Sequence, residues 1–344
     1  MPRLHYPRRS LLACVLATSA AFAAPAHAAT DLAPVEFQLE QPAAVVATPL
    51  AAQEVEAMHL LTPADLQVDL PSAATAAAVA QGDRRSGARL SFGEHVDSIK
   101  WELAALFAYQ TVLNAGKIVH RGETSAFHFD NEGFFGKDTY ELGVDKLTHA
   151  HNSYVQSEII GARIRKKTGT TRGTALSGAI LSSGMMIYSE VFDGFKGGFG
   201  YEDLVFNTLG AGFSVVRNTT PGLDEKLDFR VLVIPNRQVY SPTGRDHYRQ
   251  SRYLFALKLA GFEKLRESPL RFAELHAGYY ATGFTEREED RGEPRQRKLF
   301  AGVGINLSEL LFGRKRETRF QRIGSEVLQY WQPPLTYLHA KEAF

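Results

Sequence analysis

The chain has one cysteine, Cys14, among its 344 residues. The segment around it has the order of a secretory signal: a basic start, a short apolar run and a small-residue cleavage site, namely Arg3, Arg8, Arg9, residues 11–24 and Ala26-His27-Ala28. The apolar run is too short to span a membrane. We therefore predict a signal peptide at 1–28 and secretion across the inner membrane to the periplasm or outer membrane. The mature chain would contain no disulfide and no thiolate metal site.

Residues 29–83 contain no lysine or arginine and only one aromatic residue, Phe37, but they contain eight carboxylates. They are rich in Ala, Pro and Val, and such a composition cannot bury enough apolar surface to offset the entropy of ordering. We predict a disordered acidic arm over 29–90. The remaining chain is predicted to form a helical domain over 91–224 and a β-rich region over 225–344.

Diagnostic catalytic motifs are also missing. The sequence has no HExxH, Walker loop, GxSxG or GxGxxG pattern. It therefore does not indicate a zincin, a nucleotide-binding enzyme or an α/β-hydrolase. No cofactor and no nucleic-acid partner are predicted.

Apolar residues at three- and four-residue spacing predict four helices, at 94–119, 145–167, 174–192 and 201–216. The third contains Gly178, Ser182 and Ser183, small residues that permit close helix packing. Its apolar character is mild, so a packed or interfacial helix is favoured over a membrane span.

After residue 227 the apolar period changes to two, which predicts strands at 229–233, 253–262, 271–284 and 298–307. In the third strand, Leu275, Ala277, Tyr279 and Ala281 alternate with Glu274, His276, Gly278 and Tyr280. We therefore predict an α+β fold, with a four-helix domain followed by a small antiparallel β-sheet that packs against the helices. Residues 225–344 contain 21 basic and 15 acidic residues. This excess indicates an ordinary solvated surface or contact with anionic lipid or a cell-wall component.

Polar residues occur at the ends of three predicted helices, in the order Asp145, Lys146, His149, Glu190, Asp193, Asp203 and Asn207. Charges on otherwise apolar helices need partners, so we expect these residues to converge. One interpretation is a buried network of ion pairs that fixes helix register. The alternatives are a divalent-cation site at His149, Glu190 and Asp203, or a general acid–base pair. The spacing does not distinguish them.

The order, spacing and type of these residues over 127–217 resemble a family of predicted periplasmic lipoproteins, the YfiM-type domain of unknown function. The matching positions are Asp145-Lys146-x-x-His149, Tyr154, Glu190 to Phe195, Gly200 to Asp203 and Asn207-x-x-Gly210. A weaker similarity is to the VanZ-like membrane family. The resemblance implies an envelope location and no established activity. Cys14 follows Leu11-Leu12-Ala13, which could pass for a lipobox, but almost no apolar residues precede it.

The function expected is therefore that of a non-enzymatic envelope protein, peripherally associated with the outer membrane or a periplasmic surface. The alternative is a hydrolase or transferase that acts on a lipid or cell-wall precursor through His149, Glu190 and Asp203.

Overall fold

The described chain combines helices with an antiparallel sheet, as predicted. The computed structural model describes residues 90–121, 125–234, 245–313 and 316–343, so the predicted signal and most of the predicted acidic arm lie outside the described residues. The helices are α1 (Phe92–Ser98), α2 (Lys100–Arg121), α3 (Val144–Thr168), α4 (Thr174–Asp193), α5 (Tyr201–Thr219), α6 (Leu223–Lys226), α7 (Arg245–Gln250), α8 (Glu286–Asp290), α9 (Leu307–Phe312) and α10 (Arg319–Val327). The strands are β1 (Phe129–Asp130), β2 (Phe199–Gly200), β3 (Leu227–Val233), β4 (Ser251–Lys258), β5 (Ala273–Thr282), β6 (Gln296–Ile305) and β7 (Tyr337–Ala343).

Helix α3 is central, and glycines allow α4 to pack closely against it. A Cβ on Gly178 of α4 would lie 2.6 Å from the carbonyl oxygen of Ser157 on α3. Further along, the Ser182 hydroxyl donates to the carbonyl of Ser153. Ser153 precedes Ser157 in α3 whereas Ser182 follows Gly178 in α4, so the two helices are antiparallel.

Helix α5 packs on α3 in the parallel direction. A Cβ on Gly210 would lie 1.9 Å from the carbonyl oxygen of Ala150, so only glycine permits this approach. One helical turn later, the Ser214 hydroxyl donates to Glu158 across 2.8 Å. The N-terminal ends of α3 and α5 therefore lie together, beside the C-terminal end of α4.

The prediction of a single helix over 94–119 is wrong at Ile99, where the chain breaks into α1 and α2. Ser91 and Glu94 form a capping box that begins α1. Ile99 leaves helical geometry, with φ −126° and ψ 17°, and is almost completely buried against Ile160 and Ile164. The free energy gained by burying the Ile99 side chain therefore exceeds the cost of interrupting the helix.

Five strands form one antiparallel sheet in the order β3-β4-β5-β6-β7. The four predicted strands are present, and β7 was not predicted. Residues 259–262, predicted as the end of a strand, instead form a 3₁₀ turn at Leu259–Gly261 with Phe262 as its C-cap. Residues 285–297, which lie between two predicted strands, contain α8, and a second capping box formed by Thr285 and Glu288 begins this helix.

The helices and the sheet share one hydrophobic core. Tyr154 of α3 is fully buried with Phe229, Tyr253 and Tyr279, which lie on three adjacent strands. The change at residue 224 is therefore a change of secondary structure within one core.

Both faces of the sheet contain buried residues. Phe229, Tyr253 and Tyr279 lie on the face that packs on α3, whereas Glu274 and His276 are buried on the opposite face. The opposite face contains a charge network: Asp228 contacts Arg217, Arg230 and Lys258, while Arg230 also contacts Glu274. The face that packs on α3 continues onto β6 and β7, where it is apolar and exposed, because Tyr279 pairs with Leu299 and Val303 pairs with Leu338. We call Leu299, Ala301, Val303, Ile305 and Leu338 the outer sheet face.

The free edge of β3 is covered by the chain that follows α10. The Val231 amide donates to the Tyr330 carbonyl, and the Gln332 amide donates to the Val231 carbonyl, both across 2.9 Å. Trp331 forms a parallel bridge with Val231. A few residues later the same segment enters β7 and pairs with β6, at the other side of the sheet.

Candidate functional site

A polar cluster lies where the N-terminal ends of α3 and α5 meet the C-terminal end of α4. It comprises Glu132, Asp145, Lys146, His149, Glu190, Glu202, Asp203 and Asn207. The close helix contacts at Gly178 and Gly210 place these helix ends together. Asp145 lies in the first turn of α3, and Glu202 and Asp203 lie in the first turn of α5, where the helix dipoles stabilise negative charge.

Lys146 is the central cation and is 1% exposed. Its ammonium lies 2.7 Å from Asp145 and 2.8 Å from Asp203, and it also donates to Glu132. Burial lowers the pKa of Lys146, but the adjacent Asp145 and Asp203 carboxylates outweigh this and raise it overall. Burial raises the pKa of Glu132, because solvent is withdrawn from its carboxylate.

His149 lies between two carboxylates. Its Nδ1 atom is 3.4 Å from Glu190 Oε1, and its Nε2 atom is 3.6 Å from Asp203 Oδ1. Both distances exceed those of ordinary N–H···O hydrogen bonds. The side chain is 21% exposed, whereas Glu190 and Asp203 are buried. The imidazole is therefore partly open to solvent, although its Nδ1 atom is buried and has no hydrogen-bond partner among the described residues.

Two other groups of the cluster are incompletely paired. Asn207 is fully buried, and neither polar atom of its amide has a hydrogen-bond partner among the described residues. Glu202 is also fully buried: Oε1 accepts from the Gly133 amide across 2.9 Å, and Oε2 has no partner in the same part of the chain. Buried polar groups are almost always satisfied, so these atoms indicate a working site more than a closed network.

The structure brings together Asp145, Lys146, His149, Glu190 and Asp203, with Asn207 one turn further along α5. The other two predicted residues have contacts of a different kind. The Asp193 carbonyl accepts from the amides of residues 196, 197 and 198 and closes the glycine turn after α4. Tyr154 lies in the aromatic core, with its ring 5.0 Å from that of Phe213.

Glu132 and Glu202 were not predicted as site residues. Glu202 is adjacent to Asp203 at the start of a helix, and that position was a usable signal. Glu132 lies outside any helix, and only the tertiary fold places it beside Lys146.

Helices α4 and α5 also carry exposed stripes of apolar side chains, which we call the apolar face. Its members are Leu176, Ile180, Ile187 and Val191 on α4, and Val205, Leu209 and Val216 on α5. No charged residue occurs between 174 and 189 or between 204 and 216. Helix α4 is the one helix in the described ranges that is long and apolar enough to cross a membrane by length and composition, and 39% of that stretch is buried in the protein. Core helices of soluble proteins meet the same criterion, so the exposed stripe is the informative feature.

The geometry defines an α+β protein with a partly reachable polar cluster at the junction of three helices. Residues 131–219 match the model of a family described as "Predicted periplasmic lipoprotein (DUF2279)". The predicted resemblance to that family is confirmed over these residues, about a quarter of the chain. The description agrees with the predicted location in the periplasm or outer membrane, and with an envelope protein whose specific role is open. No curated protein and no solved structure matches the chain. The VanZ-like similarity, the signal peptide and membrane association stay predictions.

Proposed function

We propose that this chain is a non-enzymatic envelope protein that binds peripherally to a lipid surface through its apolar face. The observation that carries the proposal is the exposed stripe on α4, where four large apolar side chains are exposed and Glu190, the charged residue among them, is buried. Exposed contiguous apolar surface usually marks a contact with a partner or a membrane. A helix with one apolar side in solvent and one packed side suits a helix that lies in the membrane interface.

The two ends of α4 have the side chains expected at a lipid headgroup layer. Phe127, Phe129 and Phe195 form an edge-to-face cluster at the C-terminal end, and all three are exposed. Basic residues flank the N-terminal end, at Arg165, Lys166, Lys167 and Arg172. Aromatic rings favour the headgroup region, and each basic side chain near an anionic surface contributes about 1 kcal/mol.

The outer sheet face offers a second apolar surface. Leu299, Val303 and Leu338 are between about two-fifths and three-quarters exposed, and they belong to neighbouring strands. This surface supports the same proposal, because apolar strand faces without a covering element also favour transfer from water to lipid.

Cell fractionation tests the proposed attachment. Release by high salt would show that electrostatic contacts dominate, and retention in salt with release by detergent would show apolar insertion. Quantitative release by osmotic shock in low salt, with none in the membrane pellet, would overturn the proposal.

Vesicle flotation identifies the surface. With phosphatidylglycerol vesicles, I180E/I187E should reduce bound protein about tenfold or more, because each substitution places a negative charge at the apolar contact with an anionic surface. L299E/V303E tests the outer sheet face in the same way. The control is L335E, at a position 97% exposed and outside both surfaces, which should bind like the unchanged chain. If both double variants bind the vesicles as well as the unchanged chain does, neither surface contacts lipid.

A second candidate function is a hydrolase or transferase that acts on a lipid or cell-wall precursor. It is favoured by the position of His149, which is reachable and lies between the Glu190 and Asp203 carboxylates. An imidazole in this position can move a proton to or from a substrate. Chromatography of vesicle lipids after incubation tests it: product should form with the unchanged chain and not with H149Q.

A further inference from the structure

Three helices each supply one metal-binding side chain to the same point. One ligand atom from each of His149, Glu190 and Asp203 lies within 4.8 Å of the other two. We propose that these three residues bind one divalent transition-metal cation of the Zn²⁺ or Mn²⁺ class. The proposal stands whether or not the protein docks on lipid.

The distances within the triad are longer than ordinary hydrogen bonds. His149 Nδ1 lies 3.4 Å from Glu190 and His149 Nε2 lies 3.6 Å from Asp203, so the two distances involve different ring nitrogens. Only one nitrogen of an imidazole binds a given ion, and one ligand atom from each of the three residues lies within 4.8 Å of the other two. Ligands that each lie about 2.0–2.2 Å from a metal stand roughly 3–3.6 Å from one another, so a small rotation of the imidazole would bring the three side chains together around a bound ion.

Asn207 provides an independent indication of a ligand. It is fully buried, and both its amide oxygen and amide nitrogen lack partners among the described residues. It follows Asp203 by one helical turn, on the face of α5 that contacts α3. An amide held there can ligate the cation or donate to a water bound to it, and either contact would satisfy a group that is otherwise costly to bury.

The positions of the charged side chains also favour a cation beside His149. Lys146 already occupies the other carboxylate group, formed by Glu132, Asp145 and Asp203. Glu190 is buried on the far side of His149, outside the carboxylate group that surrounds Lys146. A divalent cation between His149, Glu190 and Asp203 would offset the negative charge of the carboxylates on this side of the cluster, away from the ammonium of Lys146.

The mixed donor set identifies the class of cation. Mg²⁺ and Ca²⁺ prefer ligand sets made entirely of oxygen, whereas an imidazole nitrogen with two carboxylates suits Zn²⁺ and Mn²⁺. Three protein ligands leave a coordination position open. His149 is the exposed member of the set, so the open position would face solvent.

Calorimetric titration of the metal-free mature chain with ZnCl₂ and MnCl₂ tests the site. One ion should bind per chain, and H149Q should weaken its affinity at least tenfold because it removes the nitrogen ligand. E190Q removes a charged ligand without touching Lys146 and should also weaken binding. N207A should weaken it about tenfold, as loss of supporting contacts does in other metal sites. Circular dichroism would confirm that each variant is folded.

The matched control is H128Q, which removes an imidazole that contacts Ser125 and Ala126 and belongs to no part of the cluster. It should bind the ion like the unchanged chain. Substitution with Co²⁺ gives a second readout, since visible absorption of a nitrogen-ligated ion should appear in the unchanged chain and not in H149Q. No binding by the unchanged chain, or equal affinity in H149Q, would overturn the proposal.

Discussion

At the scale of the residue, burial of the Asn207 amide costs free energy of folding that no hydrogen bond among the described residues offsets. Both of its polar atoms lack partners among the described residues, and an unsatisfied buried group costs about 1–3 kcal/mol. Proteins retain such groups where binding needs them. Asn207 should therefore oppose stability in the metal-free protein.

We predict that Asn207→Leu raises the free energy of unfolding by about 1–3 kcal/mol, measured by urea unfolding in the presence of a chelator. Asn114→Leu is the control. Asn114 is also buried and its amide nitrogen also lacks a partner among the described residues, but its amide oxygen accepts from the Ser189 hydroxyl. Its replacement removes that hydrogen bond and should therefore give a smaller gain than Asn207→Leu. A loss of stability in Asn207→Leu would show that the amide has a partner in solution.

Asp228 makes stability depend on pH. Burial raises its pKa, but Lys258, Arg230 and Arg217 outweigh this and lower it from 3.8 to about 2. A carboxyl with a depressed folded-state pKa stabilises the protein above its unfolded pKa, and that contribution is lost as pH falls from 3.8 towards about 2. The loss should be about 2 kcal/mol.

Urea unfolding as a function of pH measures this contribution. Asp228→Asn should lower stability at neutral pH by about 3–5 kcal/mol, because three buried cations each lose one carboxylate partner. As the pH falls from 3.8 towards about 2, the Asp228→Asn variant should also lose less stability than the unchanged chain. The same acid loss in both proteins would contradict the role given to Asp228.

At the scale of the element, the contact between α3 and α5 depends on Gly210. A Cβ there would meet the Ala150 carbonyl at 1.9 Å, whereas a Cβ on Gly212 in the same helix would meet nothing within 4 Å. Gly210→Ala should lower stability by about 1–3 kcal/mol and, by displacing Asp203, weaken the polar cluster.

Gly212→Ala is the matched control and should raise stability by up to about 1 kcal/mol, because alanine favours a helix more than glycine does. Thermal unfolding of the two variants gives the comparison. Equal effects would mean that helix propensity, and not helix contact, determines the response at Gly210.

At the scale of the whole molecule, helices and sheet should unfold together. Phe229 of β3 is buried against Tyr154 of α3, so neither part has a separate core. Phe229→Ala should lower stability by about 3–5 kcal/mol. Far-ultraviolet dichroism and tyrosine fluorescence should follow one transition in both proteins, and two separate transitions would show independent parts.

Local sequence signals predicted most of the elements. Helices α3, α4 and α5 begin and end within three residues of the predicted bounds, because apolar spacing and Gly169 mark them. Strand β7 was missed because it follows Pro333-Pro334, and its partner β6 lies more than thirty residues earlier. The break at Ile99 was missed because burial against α3 causes it.

Local sequence signals also predicted part of the candidate site. Lys146, His149, Glu190 and Asp203 stand out as charges at the ends of apolar helices, so their convergence was expected. Glu132 has no local pattern, and the buried network around Asp228 occupies strand positions that alternation alone assigns to solvent. Which face of a sheet is buried depends on the elements that cover it, and a single strand does not contain that information.

The contact between Val231 and Trp331 also determines the order of events during biogenesis. The chain reaches Val231 about one hundred residues before its edge partner is available. Until then β3 presents unpaired amides and carbonyls, which are a template for pairing between molecules. A chain that folds from its N-terminal end must therefore keep this edge apart from its neighbours until residues 330–332 arrive. Fragments that end before this segment should aggregate even though every helix of the polar cluster is complete.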